Sequence, residues 1–238
     1  MSGRGNWSGQ TFRERRESLE NAPGYNGNDF PDSGANHIQY DIGNLPYGDV
    51  DYDAAKRDVQ KRFGVSEEDA DRMVDGVAAF TGSPYSEIRD AQSKGDTTSW
   101  YGRMGKGAED FIAAGVASGN GWNGGNTYRG IAVNDAAFDA ITSMRSGSNI
   151  DIHLNGSASW ATNVHTARDF ASDNYGVRGN NHMLVFVNLD ASQNGVSVAR
   201  ISSSGEYEQE VLCSRGNKYK KVGDYSEGDY TYIYVRNA

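Results

Sequence analysis

The chain changes character at residue 127, where short strand-like segments replace helical ones. From there to the end, segments rich in β-branched and aromatic residues are bounded by Gly, Asn, Asp or Ser, a pattern typical of strands. They read TYRGIAV, IDIHLN, HMLVFVNL, GVSVARI, EQEVLC, KYKKV and YTYIYVRN. One amphipathic segment, NDAAFDAITSMRS, interrupts them, and Asn134 or Asp135 is expected to cap its helix.

Helical patterns precede this half. DYDAAKRDVQKRFG ends on Gly64, as helices commonly do, and SEEDADRMVDGVAAF opens with Ser66 and Asp69 at capping-box spacing. Further helices are predicted in PYSEIRDAQ and KGAEDFIAAGVAS. Helices at 51–120 followed by a sheet-rich half at 127–238 predict an α+β domain over residues 51–238. Residues 1–50 lack a sustained period and are predicted to form an extended or disordered leader.

Charge and cysteine content exclude several functions. The net charge of −9 argues against duplex nucleic acid or an anionic membrane as the main partner, since phosphate binding needs clustered Lys and Arg. Cys213 is the only cysteine, so neither an intrachain disulfide nor a cysteine zinc site is expected. The four histidines lack metal-ligand spacing. No signal peptide or membrane-spanning run is recognisable, so we expect a cytoplasmic protein, or one exported without a recognisable signal.

Three motifs follow one another in the sheet-rich half: YRG at 128–130, GSASWAT at 156–162 and EYEQEVL at 206–212. Each alone also fits a turn, a strand edge or a solvent-facing strand. In the last motif, Glu208 and Glu210 lie two residues apart and therefore point to the same face of a strand. Together and in this order, the motifs resemble the arginine–serine–glutamate class of mono-ADP-ribosyltransferases, which includes toxin- and phage-like proteins.

The resemblance covers residues 65–238. Ahead of the arginine, AAFTGSPYSEIRDA is similar to a family helix pair, although Arg89 stands where the family usually has Asn. After the serine motif, TARDFASDNYGVRGNN is similar to the family's helix and glycine-containing loop. The resemblance implies two packed mixed β-sheets around an NAD cleft with flanking helices. It also implies a monomer that uses NAD as a substrate, needs no metal, and acts on a protein acceptor.

The serine motif departs from the family's Ser-Thr-Ser triplet. The sequence has Ser157-Ala158-Ser159 instead. Spacing from Phe170 favours Ser159 as the counterpart of the first serine, with Ser157 as the alternative.

The resemblance also implies a role for each motif residue. Glu210 would stabilise the positive charge that develops on the ribose as nicotinamide leaves, and Ser159 would orient Glu210. Arg129 would hold the pyrophosphate through its two-pronged guanidinium, beside Gly130, where the missing side chain leaves room for the nicotinamide. Arg178 would be a second contact to NAD. Glu208 would engage an acceptor arginine, as in the family's arginine-modifying members.

Two alternatives remain open from the sequence. The protein could be an NAD glycohydrolase that never modifies a protein. It could also be a non-catalytic binding or structural module, such as a phage particle component, in which the motifs are scaffolding.

Overall fold

The computed structural model describes residues 50–153, 156–190, 195–198, 201–202 and 210–238. Within these residues, four helices precede the first strand: α1 (Tyr52–Phe63), α2 (Glu67–Phe80), α3 (Tyr85–Ser93) and α4 (Trp100–Ala117). They are followed by β1 (Thr127–Val133), α5 (Asp135–Ser143), β2 (Asn149–Ile150), β3 (Ala158–Ala161) and α6 (Val164–Asp173). A 3-10 turn (Val177–Gly179) leads to β4 (His182–Asn188), β5 (Gly195–Ser197), β6 (Glu210–Cys213), β7 (Tyr219–Glu227) and β8 (Tyr230–Asn237). The predicted α+β class is confirmed, while residues 1–49 of the predicted leader (1–50) lie outside the described residues.

Local signals in the sequence set several helix ends. Gly64 adopts a left-handed conformation with φ of 69°, and its N–H bonds to the carbonyl of Gln60, which ends α1. The Ser66 hydroxyl accepts a hydrogen bond from the Asp69 N–H at 3.1 Å and donates one to the Asp69 carboxylate at 2.8 Å. These two bonds start α2, and Asn134 caps α5 in the same way through the Ala137 N–H.

Helix α4 begins at Trp100, six residues before the predicted start at Lys106. Its first turns contain three glycines, which normally disfavour a helix. Here close packing explains two of them. A Cβ on Gly107 would lie 2.3 Å from the carbonyl oxygen of Arg72 on α2, and one on Gly105 would lie 2.8 Å from the Gln92 side chain. The glycines therefore allow α2 and α3 to approach α4.

The strands form one mixed sheet in the order β2-β7-β8-β4-β1-β3-β6-β5, in which only β4 and β8 are paired in parallel among the described residues. Its two parts, β2-β7-β8-β4-β1 and β3-β6-β5, are joined by a single residue pair, Tyr128 with Ala161. The two packed sheets expected from the sequence correspond to these two parts, which the pair Tyr128–Ala161 connects.

The two parts of the sheet face each other across a shared core. This core includes Trp160 and Val211 from one part and Leu184 and Ile233 from the other. On the opposite face of the smaller part, Leu212 packs against α1, α2 and α4. Helix α6 covers the outer face of the larger part. Helices therefore cover the outer faces of both parts of the sheet.

The predicted strand IDIHLN is much shorter than expected, because pairing ends at Ile150. The chain then turns inward, and the buried side chain of His153 forms hydrogen bonds inside the core. No helix in the described part of the chain is long and apolar enough to cross a membrane.

Candidate active site

A cavity of about 480 Å³ opens where β1, β3 and β6 meet at the junction of the two sheet parts. The helical side contributes residues from the end of α2 and the start of α3, and α6 with the loop after it forms another wall. Its lining comprises Phe80, Thr81, Tyr85, Tyr128, Arg129, Gly130, Ile131, Ala132, Ser159, Trp160, Ala161, Phe170, Asn174, Asn180 and Glu210. Residues from all three sequence motifs therefore border one cavity.

Arg129 lies on β1 and crosses to the neighbouring strand. Its Nη1 donates to the carbonyl oxygen of Ser159 at 2.7 Å, and its Nη2 donates to the hydroxyl of Tyr85 at 3.3 Å. Its Nε is buried and has no hydrogen-bond partner among the described residues. The guanidinium is thus fixed in the cavity wall by two contacts and keeps N–H groups for an anionic ligand.

Glu210 is the first residue of β6, and only 4% of its surface is exposed. It pairs with Ala161 of β3, while Ser159 pairs with Leu212. Residues two apart on a strand share a face, so Ser159 and Glu210 are diagonal neighbours on the same side of this ladder. A carboxylate so shielded from water acts strongly on charge that develops next to it.

The two serine candidates have different surroundings. Ser159 lines the cavity, whereas Ser157 is fully buried and does not belong to the lining. The Ser157 hydroxyl accepts a hydrogen bond from Gln92 Nε2 at 3.1 Å, and its N–H donates to Gln92 Oε1 at 2.9 Å. The structure thus brings Ser159, and not Ser157, beside Arg129 and Glu210.

Gly130 lies in the cavity wall, but packing accounts for the absence of a side chain there. A Cβ at this position would lie 1.6 Å from the carbonyl oxygen of Ala167 and 3.0 Å from the nitrogen of Ala171, both on α6. Only glycine lets α6 pack this closely against β1. This reason differs from the one expected from the sequence, which was room for the nicotinamide.

One predicted site residue lies away from the cavity lining, and another lies outside the described residues. Arg178 is exposed in the 3-10 turn after α6 with φ of 53°, and it does not line the cavity, although Asn174 and Asn180 on either side of it do. Glu208 lies outside the described residues, so its position relative to Glu210 stays a prediction.

Tyr85 connects the helical wall to the strand wall. Its ring packs edge-on against Phe80, with centroids 5.1 Å apart and an interplanar angle of 85°. The guanidinium carbon of Arg89, one turn further along α3, lies 5.5 Å from the centre of the Tyr85 ring. The sequence placed Tyr85 and Arg89 in this region by resemblance, but it gave no sign of their contacts.

The buried side chain of His153 has three hydrogen-bond partners near the cavity. The sequence gave this histidine no particular role. Its Nδ1 lies 2.9 Å from the Ser214 carbonyl, so Nδ1 carries the proton and Nε2 is the acceptor. Trp160 Nε1 donates to Nε2 at 3.0 Å, and the Tyr219 hydroxyl lies 3.0 Å from the same nitrogen. Burial and the nearby Arg129 lower the pKa of His153 to about 3, so the imidazole is neutral. An isolated histidine in an apolar segment carries no sequence signal for such a network.

Within the described ranges, no cluster of three or more His, Cys, Asp or Glu side chains could hold a metal ion.

Neither a family model nor a curated protein matches this sequence. Solved structures do. The Vis toxin, an ADP-ribosyltransferase from Vibrio splendidus, is 18% identical, with a TM-score of 0.54 over 79% of this chain and 81% of that one. Vis in complex with agmatine is 17% identical, with a TM-score of 0.50 over 84% and 90% of the two chains. The C3 exoenzyme of Clostridium limosum is 13% identical, with a TM-score of 0.52 over 81% of this chain and all of that one. The described residues therefore adopt the ADP-ribosyltransferase fold.

Proposed function

We propose that the protein is a mono-ADP-ribosyltransferase, which transfers ADP-ribose from NAD to an arginine of an acceptor protein and releases nicotinamide. The observation that carries this proposal is the convergence of Arg129, Ser159 and Glu210 on one cavity, in a chain with the fold of ADP-ribosyltransferases. These residues come from strands that are far apart in the sequence.

Arg129 is the candidate for holding the NAD pyrophosphate. Its contacts to Ser159 and Tyr85 fix the plane of the guanidinium before the ligand arrives, which lowers the entropy cost of binding. The unpartnered Nε–H and the remaining Nη hydrogens can then donate to phosphate oxygens.

Glu210 is the candidate for stabilising the reacting sugar. Cleavage of the bond between ribose and nicotinamide leaves an oxocarbenium-like cation on the ribose. A carboxylate that is fixed and shielded from water favours that cation more than it favours NAD itself. Ser159, its diagonal neighbour, would orient the carboxylate or the nicotinamide end of NAD.

The proposal of arginine as the acceptor rests on Glu208 and on one structural neighbour. Glu208 precedes Glu210 by two residues, so in a continuing strand its carboxylate would point to the same side. A carboxylate there would pair with an incoming guanidinium and accept its proton during attack. Vis, which shares the fold, has been crystallised with agmatine, a small guanidinium compound.

Labelled NAD tests the proposal directly. The wild-type protein is expected to release nicotinamide, and to transfer ADP-ribose to agmatine and to arginines of proteins in a cell lysate. Glu210→Gln should lower both nicotinamide release and transfer about 100- to 1000-fold, since one preorganised electrostatic contact is lost. Glu208→Gln should remove transfer but retain much of the hydrolysis of NAD by water.

Glu227→Gln is the matched control, because Glu227 ends β7 and does not line the cavity. Its activity should equal that of the wild type. Hydrolysis without any transfer would identify an NAD glycohydrolase. If NAD produces neither heat in calorimetry nor free nicotinamide, the protein is not an enzyme of this class.

A further inference from the structure

The position of the Arg129 guanidinium depends on a contact with a neighbouring helix. Its Nη2 donates to the hydroxyl of Tyr85, so the position of this tyrosine helps to set the position of the guanidinium. Tyr85 belongs to α3, whereas Arg129 belongs to β1. The contact therefore links the two walls of the cavity.

Arg89 in turn holds Tyr85. The two residues are four apart on α3, a spacing that brings their side chains together on one face of a helix. The Arg89 guanidinium lies over the Tyr85 ring with its carbon 5.5 Å from the ring centre, which is cation–π geometry. The Phe80 ring packs against the Tyr85 ring as well, so Tyr85 is held between an aromatic ring and a cation.

Arg89 is itself anchored in the core. One Nη donates to the backbone carbonyl of His153, whose imidazole is fixed by Ser214 and Trp160. Gly156 makes space for this arrangement, since a Cβ there would lie 2.9 Å from Arg89 Nε. Contacts thus run without a break from the buried histidine to the cavity wall.

We propose that Arg89 is a positioning residue of the cavity, which fixes Tyr85 and, through the Tyr85 hydroxyl, the Arg129 guanidinium that receives the NAD diphosphate. This inference rests on the proposed function. Arg89 does not line the cavity, so its effect on NAD passes through Tyr85. Its loss should weaken NAD binding and have little effect on the chemistry at the ribose, which depends on Glu210.

Steady-state nicotinamide release and calorimetric binding of NAD test the inference. Arg89→Met removes the charge but keeps most of the side-chain volume, and it should raise the KM and Kd for NAD about tenfold, the effect of one lost contact to a charged group. kcat should stay near the wild-type value. Arg89→Lys keeps a cation and a donor and should restore part of the affinity. A general loss of structure would instead lower kcat and the melting temperature together.

The double variant makes the test specific. Tyr85→Phe keeps the ring but removes the hydroxyl that contacts Arg129, so it should raise KM to a similar degree. If Arg89 acts through that hydroxyl, adding Arg89→Met to Tyr85→Phe should raise KM no further. Independent, multiplying effects of the two substitutions would overturn the inference.

Arg103→Met is the matched control. Arg103 also lies on a helix and donates to a backbone carbonyl, that of Thr98, and it does not line the cavity. Its KM should equal that of the wild type. An unchanged KM and Kd in Arg89→Met overturns the inference while the proposed function stands. A wild-type protein that neither binds NAD nor releases nicotinamide overturns both.

Discussion

Ser157 and Ser159 lie two positions apart, but their surroundings predict opposite effects when each is replaced by alanine. Ser157→Ala removes one of three acceptors of Gln92 Nε2, which also donates to the Gly105 carbonyl and the Glu109 carboxylate. It should therefore lower the free energy of unfolding by no more than about 1 kcal/mol, with KM and kcat unchanged. Ser159→Ala should lower nicotinamide release about tenfold with little loss of stability, since this hydroxyl belongs to the cavity. Urea unfolding and NAD kinetics measure both effects, and equal results for the two variants would contradict the assignment.

Gly130 offers a second test at the residue scale. Gly130→Ala would place a Cβ 1.6 Å from the Ala167 carbonyl, so α6 must move away from β1. Overpacking of this kind should cost about 1–3 kcal/mol, seen as a lower melting temperature together with lost activity. Gly216→Ala is the control, because the nearest atom to its Cβ would lie 3.9 Å away. A higher KM with an unchanged melting temperature would show that Gly130 matters only for ligand access.

At the scale of elements, a buried ion pair secures the end of α5. Lys221 Nζ donates to the carbonyls of Ile141 and Thr142 at 3.1 and 3.0 Å and lies 2.6 Å from the Asp224 carboxylate. Lys221→Met should cost about 3–5 kcal/mol, because it leaves Asp224 as a buried, uncompensated charge and uncaps the helix. Lys220→Met on the exposed face of the same strand should be nearly neutral. Denaturant midpoints compare the two, and a small cost for Lys221→Met would mean that this buried ion pair contributes little to stability.

The helix ends that the sequence predicted correctly are those set by contacts between residues a few positions apart. Gly64, Ser66 and Asn134 mark helix ends through contacts within a few residues, so they are readable without the fold. The start of α4 was not readable, because the reason for Gly107 is the backbone of Arg72 on another helix. The short β2 was missed for a similar reason, since apolar alternation does not reveal that the chain turns into the core after Ile150.

Across the whole molecule, the order of the three motifs indicated which residues share one cavity better than any single residue did. Arg129, Ser159 and Glu210 meet because β1, β3 and β6 are neighbours in the sheet, and motif order carries that information through the resemblance. The choice between Ser157 and Ser159 depended on a partner 65 positions away, Gln92. The expectation for Arg178 concerned a loop, whose path depends on tertiary contacts that its own sequence does not specify.

His153 connects the two parts of the sheet, because its partners include Trp160 on β3 and Tyr219 on β7. Its pKa is about 3 in the folded protein and near 6.5 in the unfolded chain, so between these values the unfolded state binds one more proton. Stability should therefore fall as pH falls from about 6.5 towards 3, at up to about 1.4 kcal/mol per pH unit from this group alone. His153→Gln should be less stable at pH 7 but should lose less further stability by pH 4 than the wild type. Urea unfolding at each pH measures these slopes, and an identical slope in His153→Gln and wild type would mean that the buried imidazole is not the group that titrates.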